Sequence, residues 1–108
     1  MSGAYITDIT RYLNDAGELP AELPGPARKL ASFLVLLIDE VTQRFPAQDA
    51  ATGIRCRSKH CTGSIRASLL SPGEEIVWHC PTCGHHGIIR NWQGTKWDGY
   101  SDASQKSH

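Results

Sequence analysis

Four cysteines, Cys56, Cys61, Cys80 and Cys83, constrain this chain more than any other feature. They read C-x4-C, then 18 residues, then C-x2-C. In a reducing compartment, cysteines so close in sequence are metal ligands or redox groups more often than disulfides. Zinc takes four ligands and binds thiolate sulfur readily, and a structural site usually gathers them as two pairs. Cys80-Pro81-Thr82-Cys83-Gly84 reads as a knuckle that aims two sulfurs at one spot, with Gly84 letting the backbone turn back. Cys56 to Cys61, with Gly63 close behind, reads as a looser turn of the same kind. Four cysteines leave no open coordination position, so the expected zinc is single and structural, not catalytic.

The residues between the pairs suit this. Ile65, Ala67 and Leu69 alternate with Ser64, Arg66 and Ser68, the period of a strand. Ser71-Pro72-Gly73 is a turn signal, and Glu75 to His79 reads as a second strand with Ile76 and Trp78 on one face. A hairpin with nearly equal arms returns Cys80 beside Cys61. Gly87-Ile88-Ile89-Arg90 supplies a third strand. Residues 54–98 thus read as a three-stranded antiparallel zinc ribbon, short enough to need a metal for stability.

Upstream, Ile6, Ile9, Tyr12 and Leu13 fall at helical spacing and predict a short helix over 6–14. Three prolines among residues 20–26 read as an extended linker. A long amphipathic helix is expected from Pro26 to Phe45, with Ala27, Leu30, Ala31, Leu34, Leu37, Ile38, Val41 and Phe45 on its core-facing stripe. Its middle, Phe33 to Ile38, is apolar nearly all round and needs cover, either from within the chain or from a second copy or protein partner. The expected architecture is α+β. A helical region spans 1–46, a linker 47–53, the ribbon 54–98 and a polar tail 99–108.

Charge divides unevenly. Residues 1–53 hold four basic and seven acidic side chains, net −3, whereas residues 54–98 hold six basic and three acidic, net +3. Arg55, Arg57, Lys59, Arg66, Arg90 and Lys96 are therefore candidates for a nucleic-acid surface, with Trp92, Trp97 and Tyr100 as stacking partners or as a lid on the hairpin. A tetrathiolate zinc centre lowers the second part to near +1, too little for tight non-specific DNA binding. His60, His79, His85 and His86 adjoin the cysteines and are expected as surface residues, although one of them could replace Cys56 as a ligand. The longest apolar run is six residues, far short of the roughly 20 a membrane helix needs. Met1 to Thr10 has neither a basic nor an apolar leader region, so a cytoplasmic location without membrane association is expected.

Ile76 to Gly84, Gly87-Ile88-Ile89, Trp92-Gln93-Gly94-Thr95 and Trp97-Asp98 together resemble a family of small bacterial zinc-ribbon proteins. Ile6 to Thr10 and Ala27 to Ala31 extend the resemblance over nearly the whole chain. It implies a ribbon fold and a zinc site, without an activity. The knuckles alone are similar to those of transcription factors and polymerase subunits, which implies a role in transcription or its regulation.

The expected function is therefore a non-catalytic binding module without a small-molecule substrate, its zinc held by Cys56, Cys61, Cys80 and Cys83. The alternative is a thiol–disulfide protein using Cys80 and Cys83. Gly84 and Gly87 argue against it, because a thioredoxin-like site continues into a helix. A rubredoxin-type iron site would more commonly use two C-x2-C pairs, and no motif for hydrolysis is present.

Overall fold

The long helix forms where the apolar stripe lies. The computed structural model describes residues 4–58 and 60–99, and its one α-helix, α1, runs Gly25–Gln43. Pro24 and Pro26 start it, where missing backbone donors cost nothing, and the Arg28 amide donates to Pro24 O at 2.8 Å. Near its end Thr42 Oγ1 donates to Ile38 O at 2.6 Å. Five strands make one sheet: β1 (Ala4–Asp8), β2 (Ala47–Arg55), β3 (Ser64–Leu69), β4 (Ile76–His79) and β5 (His86–Arg90), in the spatial order β1-β5-β4-β3-β2. The neighbours are antiparallel except β1 and β5, which run parallel with Ile6 opposite Ile88.

This corrects the expected architecture. One α-helix and a five-stranded mixed sheet replace two N-terminal helices on a three-stranded antiparallel ribbon. The ribbon strands are present as β3, β4 and β5. The expected short helix at 6–14 is instead the end of β1 and a one-turn 3-10 helix, Ile9–Tyr12. Asp8 divides them by accepting the Thr10 amide at 2.9 Å. The break rotates the apolar positions apart, so that Ile6 is 66% exposed and Ile9 is fully buried.

Residues 47–53, expected as a linker, belong to β2. Their composition is poor for a strand, and pairing with β3 overrides that preference. The strand is irregular in consequence, with register shifts between Ala47 and Ala50 and between Ala51 and Arg55, and positive φ at Asp49 and Gly53. Such bulges bend an edge strand and discourage pairing with another chain. Residues 100–108 of the expected tail lie outside the described residues.

The α-helix covers one face of the sheet. Its Phe33, Leu34, Leu37, Ile38 and Val41 share one core with Ile65, Leu69, Ile76, Trp78, Ile89 and Trp92. Phe33 and Trp78 meet edge to face, 5.3 Å between ring centroids. The greasy middle of α1 is thus buried within the chain, and of its large apolar residues only Leu36 stays largely exposed, at 55%. Trp92 is buried and donates from Nε1 to Glu74 O at 2.9 Å.

Candidate metal centre

Antiparallel pairing brings the four cysteines together. Because β3 runs antiparallel to both β2 and β4, the β2–β3 loop and the β4–β5 loop fall at the same end of the sheet. The first loop carries Cys56 and Cys61, and the second carries Cys80 and Cys83. Backbone hydrogen bonds close each loop: Cys56 N to Gly63 O at 2.9 Å in the first, Cys80 N to His85 O at 2.7 Å and Gly84 N to Cys80 O at 2.8 Å in the second. Positive φ at His60 and Gly84 lets the loops turn back.

All four sulfurs lie within 4.8 Å of one another and could hold a metal ion. The pairs Cys56–Cys83 and Cys61–Cys80, each joining the two loops, are 3.6 Å apart. A tetrahedron with metal–sulfur bonds of about 2.3 Å has sulfur–sulfur edges of about 3.8 Å, so the cluster is close to a coordination shell. All four cysteines are free. Backbone amides point at the sulfurs: Ser58 N donates to Cys56 Sγ at 3.5 Å and Gly63 N to Cys61 Sγ at 3.4 Å. Such N–H donors stabilise thiolate charge, as a metal ligand requires.

The protonation pattern also suits a cation. The backbone amide and then the imidazole of His85 bring the Cys83 thiol down to about 5. The Gly63 amide lowers Cys61, but desolvation and the three other cysteines outweigh it and push that thiol up to about 12. Without a cation, four negative charges this close repel; a bound divalent ion removes the conflict. In the metal-free folded chain at neutral pH, Cys83 is therefore a thiolate and Cys61 a thiol. Iodoacetamide followed by peptide mapping is expected to label Cys83 well before Cys61, and His85→Ala is expected to reduce that preference. Equal labelling of the two would contradict the assignment.

Sequence reasoning passed over Ser58 and read His85 only as a surface residue or a substitute ligand, whereas both sit against the cysteine cluster. His85 Nδ1 lies 3.1 Å from Cys83 Sγ and 2.9 Å from Ser58 Oγ. The available signal was position: His85 is two residues beyond Cys83, as Ser58 and Gly63 are two beyond Cys56 and Cys61, where the amide turns back to the sulfur.

Packing at the centre is tight around Gly63. A Cβ there would sit 2.8 Å from Cys80 Sγ and 2.7 Å from Thr82 Cβ. Gly63→Ala is expected to displace the Cys80 sulfur and weaken metal affinity by about 10–100-fold, the usual effect of disturbing a ligand's support. Competition with a chromophoric chelator measures this; unchanged affinity would show that the loops yield freely.

Three of the other singled-out basic residues pair with acids. Arg66 pairs with Asp49 at 3.1 Å, Arg90 with Glu75, and Lys96 with Glu18 at 3.3 Å. Arg57 lies over the Phe33 ring, 5.9 Å from its centroid, and Arg55 is exposed at the end of β2. Lys59 and Tyr100 lie outside the described residues. Trp92 is buried and Trp97 half-buried against the core, so these two act as the lid. No helix among the described residues is long and apolar enough to cross a membrane. No protein-family model, curated protein or solved structure matches this chain.

Proposed function

We propose that this chain is a non-catalytic zinc-binding module of the small zinc-ribbon kind its sequence resembles, with one zinc held by Cys56, Cys61, Cys80 and Cys83. The observation that carries this reading is the convergence of four free sulfurs, each within 4.8 Å of the others, from two loops at one end of the sheet. Four thiolates complete the shell of zinc, which suits a clamp between loops and not a centre that admits substrate. The sheet that the clamp holds then offers its surface to a protein partner. Pairing of Arg66, Arg90 and Lys96 with acids, and burial of Trp92, favour protein over nucleic acid.

Against the thiol–disulfide alternative stands Cys80, the first cysteine of the C-x2-C pair. An attacking thiol must be exposed, and Cys80 is fully buried. Elemental mass spectrometry on protein purified without added metal, with a parallel thiol count, tests the proposal. One zinc per chain, and thiols reactive only after chelation, is the expected result. Visible absorption from ferric thiolate would replace zinc by iron, and a metal-free protein with a Cys80–Cys83 disulfide would overturn the reading.

A further inference from the structure

The sulfur cluster carries a division that metal binding does not need. Its 3.6 Å contacts join Cys56 to Cys83 and Cys61 to Cys80, so both run from the first loop to the second. Each of these pairs holds one half-buried and one buried cysteine: Cys83 with the buried Cys56, and Cys61 with the buried Cys80. That division is the one thiol oxidation uses. An accessible sulfur meets the oxidant, and a sheltered neighbour resolves the product. A disulfide bond is about 2.05 Å long, so each pair closes from 3.6 Å by about 1.5 Å. The movement falls on the loops. The hydrogen bonds Cys56 N to Gly63 O and Cys80 N to His85 O hold the two ends of each loop together meanwhile.

We infer that this cluster has a second closed state, in which a peroxide oxidises it to the disulfides Cys56–Cys83 and Cys61–Cys80 and metal binding is lost until a thiol reductant restores it. This state rests on the reading of the cluster as a metal centre and adds its regulation. In each pair the half-buried thiolate attacks a peroxide oxygen. The oxygen–oxygen bond breaks, hydroxide leaves and takes up a proton, and the sulfur becomes a sulfenic acid. The buried partner's thiolate then attacks that sulfur. A sulfur–sulfur bond forms, the sulfur–oxygen bond breaks, and hydroxide again leaves as water. Each pair thereby loses two electrons to the peroxide. Two thiolates, one hydrogen peroxide and two protons give one disulfide and two waters.

A divalent ion at this site needs thiolate ligands, and a disulfide supplies none. The metal and the disulfides therefore exclude one another, yet both join the same two loops. A disulfide across the loops restricts the unfolded chain as the metal does, so the oxidised protein keeps its clamp. Hydrogen peroxide is smaller than the reagents that count thiols, and it reaches a half-buried sulfur that they do not.

The test adds hydrogen peroxide to the full metal-loaded chain, with a chromophoric chelator at a concentration too low to strip the reduced site. The expected result is release of one metal ion per chain, loss of all four thiols and a circular dichroism spectrum close to that of the loaded protein. Dithiothreitol followed by fresh metal should restore the loaded state. Peptide maps without reductant identify the pairing. Trypsin cuts after Arg55, Arg57, Lys59 and Arg66 and leaves Cys80 and Cys83 in one peptide. Cross-loop disulfides therefore tie the peptides of Cys56 and Cys61 to that third one, and fragmentation between Cys80 and Cys83 assigns the partners. Any other pairing, links between chains, or sulfinic acid in place of disulfide would overturn the inference, as would a metal that stays bound after oxidation. A chain that binds no metal yet forms these two disulfides would support the oxidised state and count against the zinc reading alone.

Discussion

Cys80→Ser is expected to abolish metal binding and to lower the thermal midpoint by more than about 15 °C. Cys80 is fully buried and belongs both to the sulfur cluster and to the hydrophobic core. Binding free energy at a structural zinc becomes folding free energy, about 10–16 kcal/mol at neutral pH in small zinc-dependent peptides. Even a quarter of that amounts to several kcal/mol, and each kcal/mol moves the midpoint of a domain this size by about 4–8 °C. The hydroxyl that replaces the sulfur is a poor zinc ligand and leaves a polar atom beside apolar neighbours. Hydrogen exchange should show the loss of protection beginning in the loops 56–63 and 80–85 and spreading into β3 and β4. A variant that keeps one metal per chain, or keeps its loop amides protected, would contradict this account of the site.

Leu37→Asp is the second large expected effect. Leu37 is fully buried on the sheet-facing side of α1. Truncation of a buried leucine to alanine alone costs about 2–5 kcal/mol, and an unpaired carboxylate in the same place adds the desolvation of a charge. The sum approaches the whole stability of a typical domain, about 5–15 kcal/mol. The expected outcome is an unfolded or aggregating chain, by circular dichroism and by loss of near-ultraviolet tryptophan signal. The adjacent Leu36→Asp should fold normally, because that side chain is exposed. If the two variants behaved alike, the facing of α1 would be wrong.

The contrast between these neighbouring leucines shows where sequence reasoning stops. The stripe through Leu30, Leu34, Leu37 and Val41 is a property of spacing, so the helix and its inward face are readable from the chain. The apolar run Phe33 to Ile38 suggested a surface for another molecule as readily as a buried helix. Only the sheet beneath it, with Trp78 against Phe33, decides for burial.

Four features were legible from local pattern alone: the cysteine pairs, the knuckle glycine, the alternation in β3 and β4, and the helix stripe. Each depends on residues close in sequence, and local geometry dictates it. The strands β1 and β2 were not legible. Ile6 and Ile9 share a helical interval, yet an Asp8 cap places them on opposite sides. Ala47 to Gly53 lacks strand-forming side chains and is a strand because β3 presents an edge to pair with. The approach of His85 to Cys83, and the alignment of Ile6, Ile88 and Val77, likewise depend on register between distant segments. By itself the sequence determined which four cysteines could hold a metal ion and which side of the helix faces inward. The tertiary structure decided which strands complete the sheet, which aromatic residues close it and which face is left open. Hydrogen bonding between strands far apart in the chain is a matter of global packing, and it leaves little periodic trace in either partner.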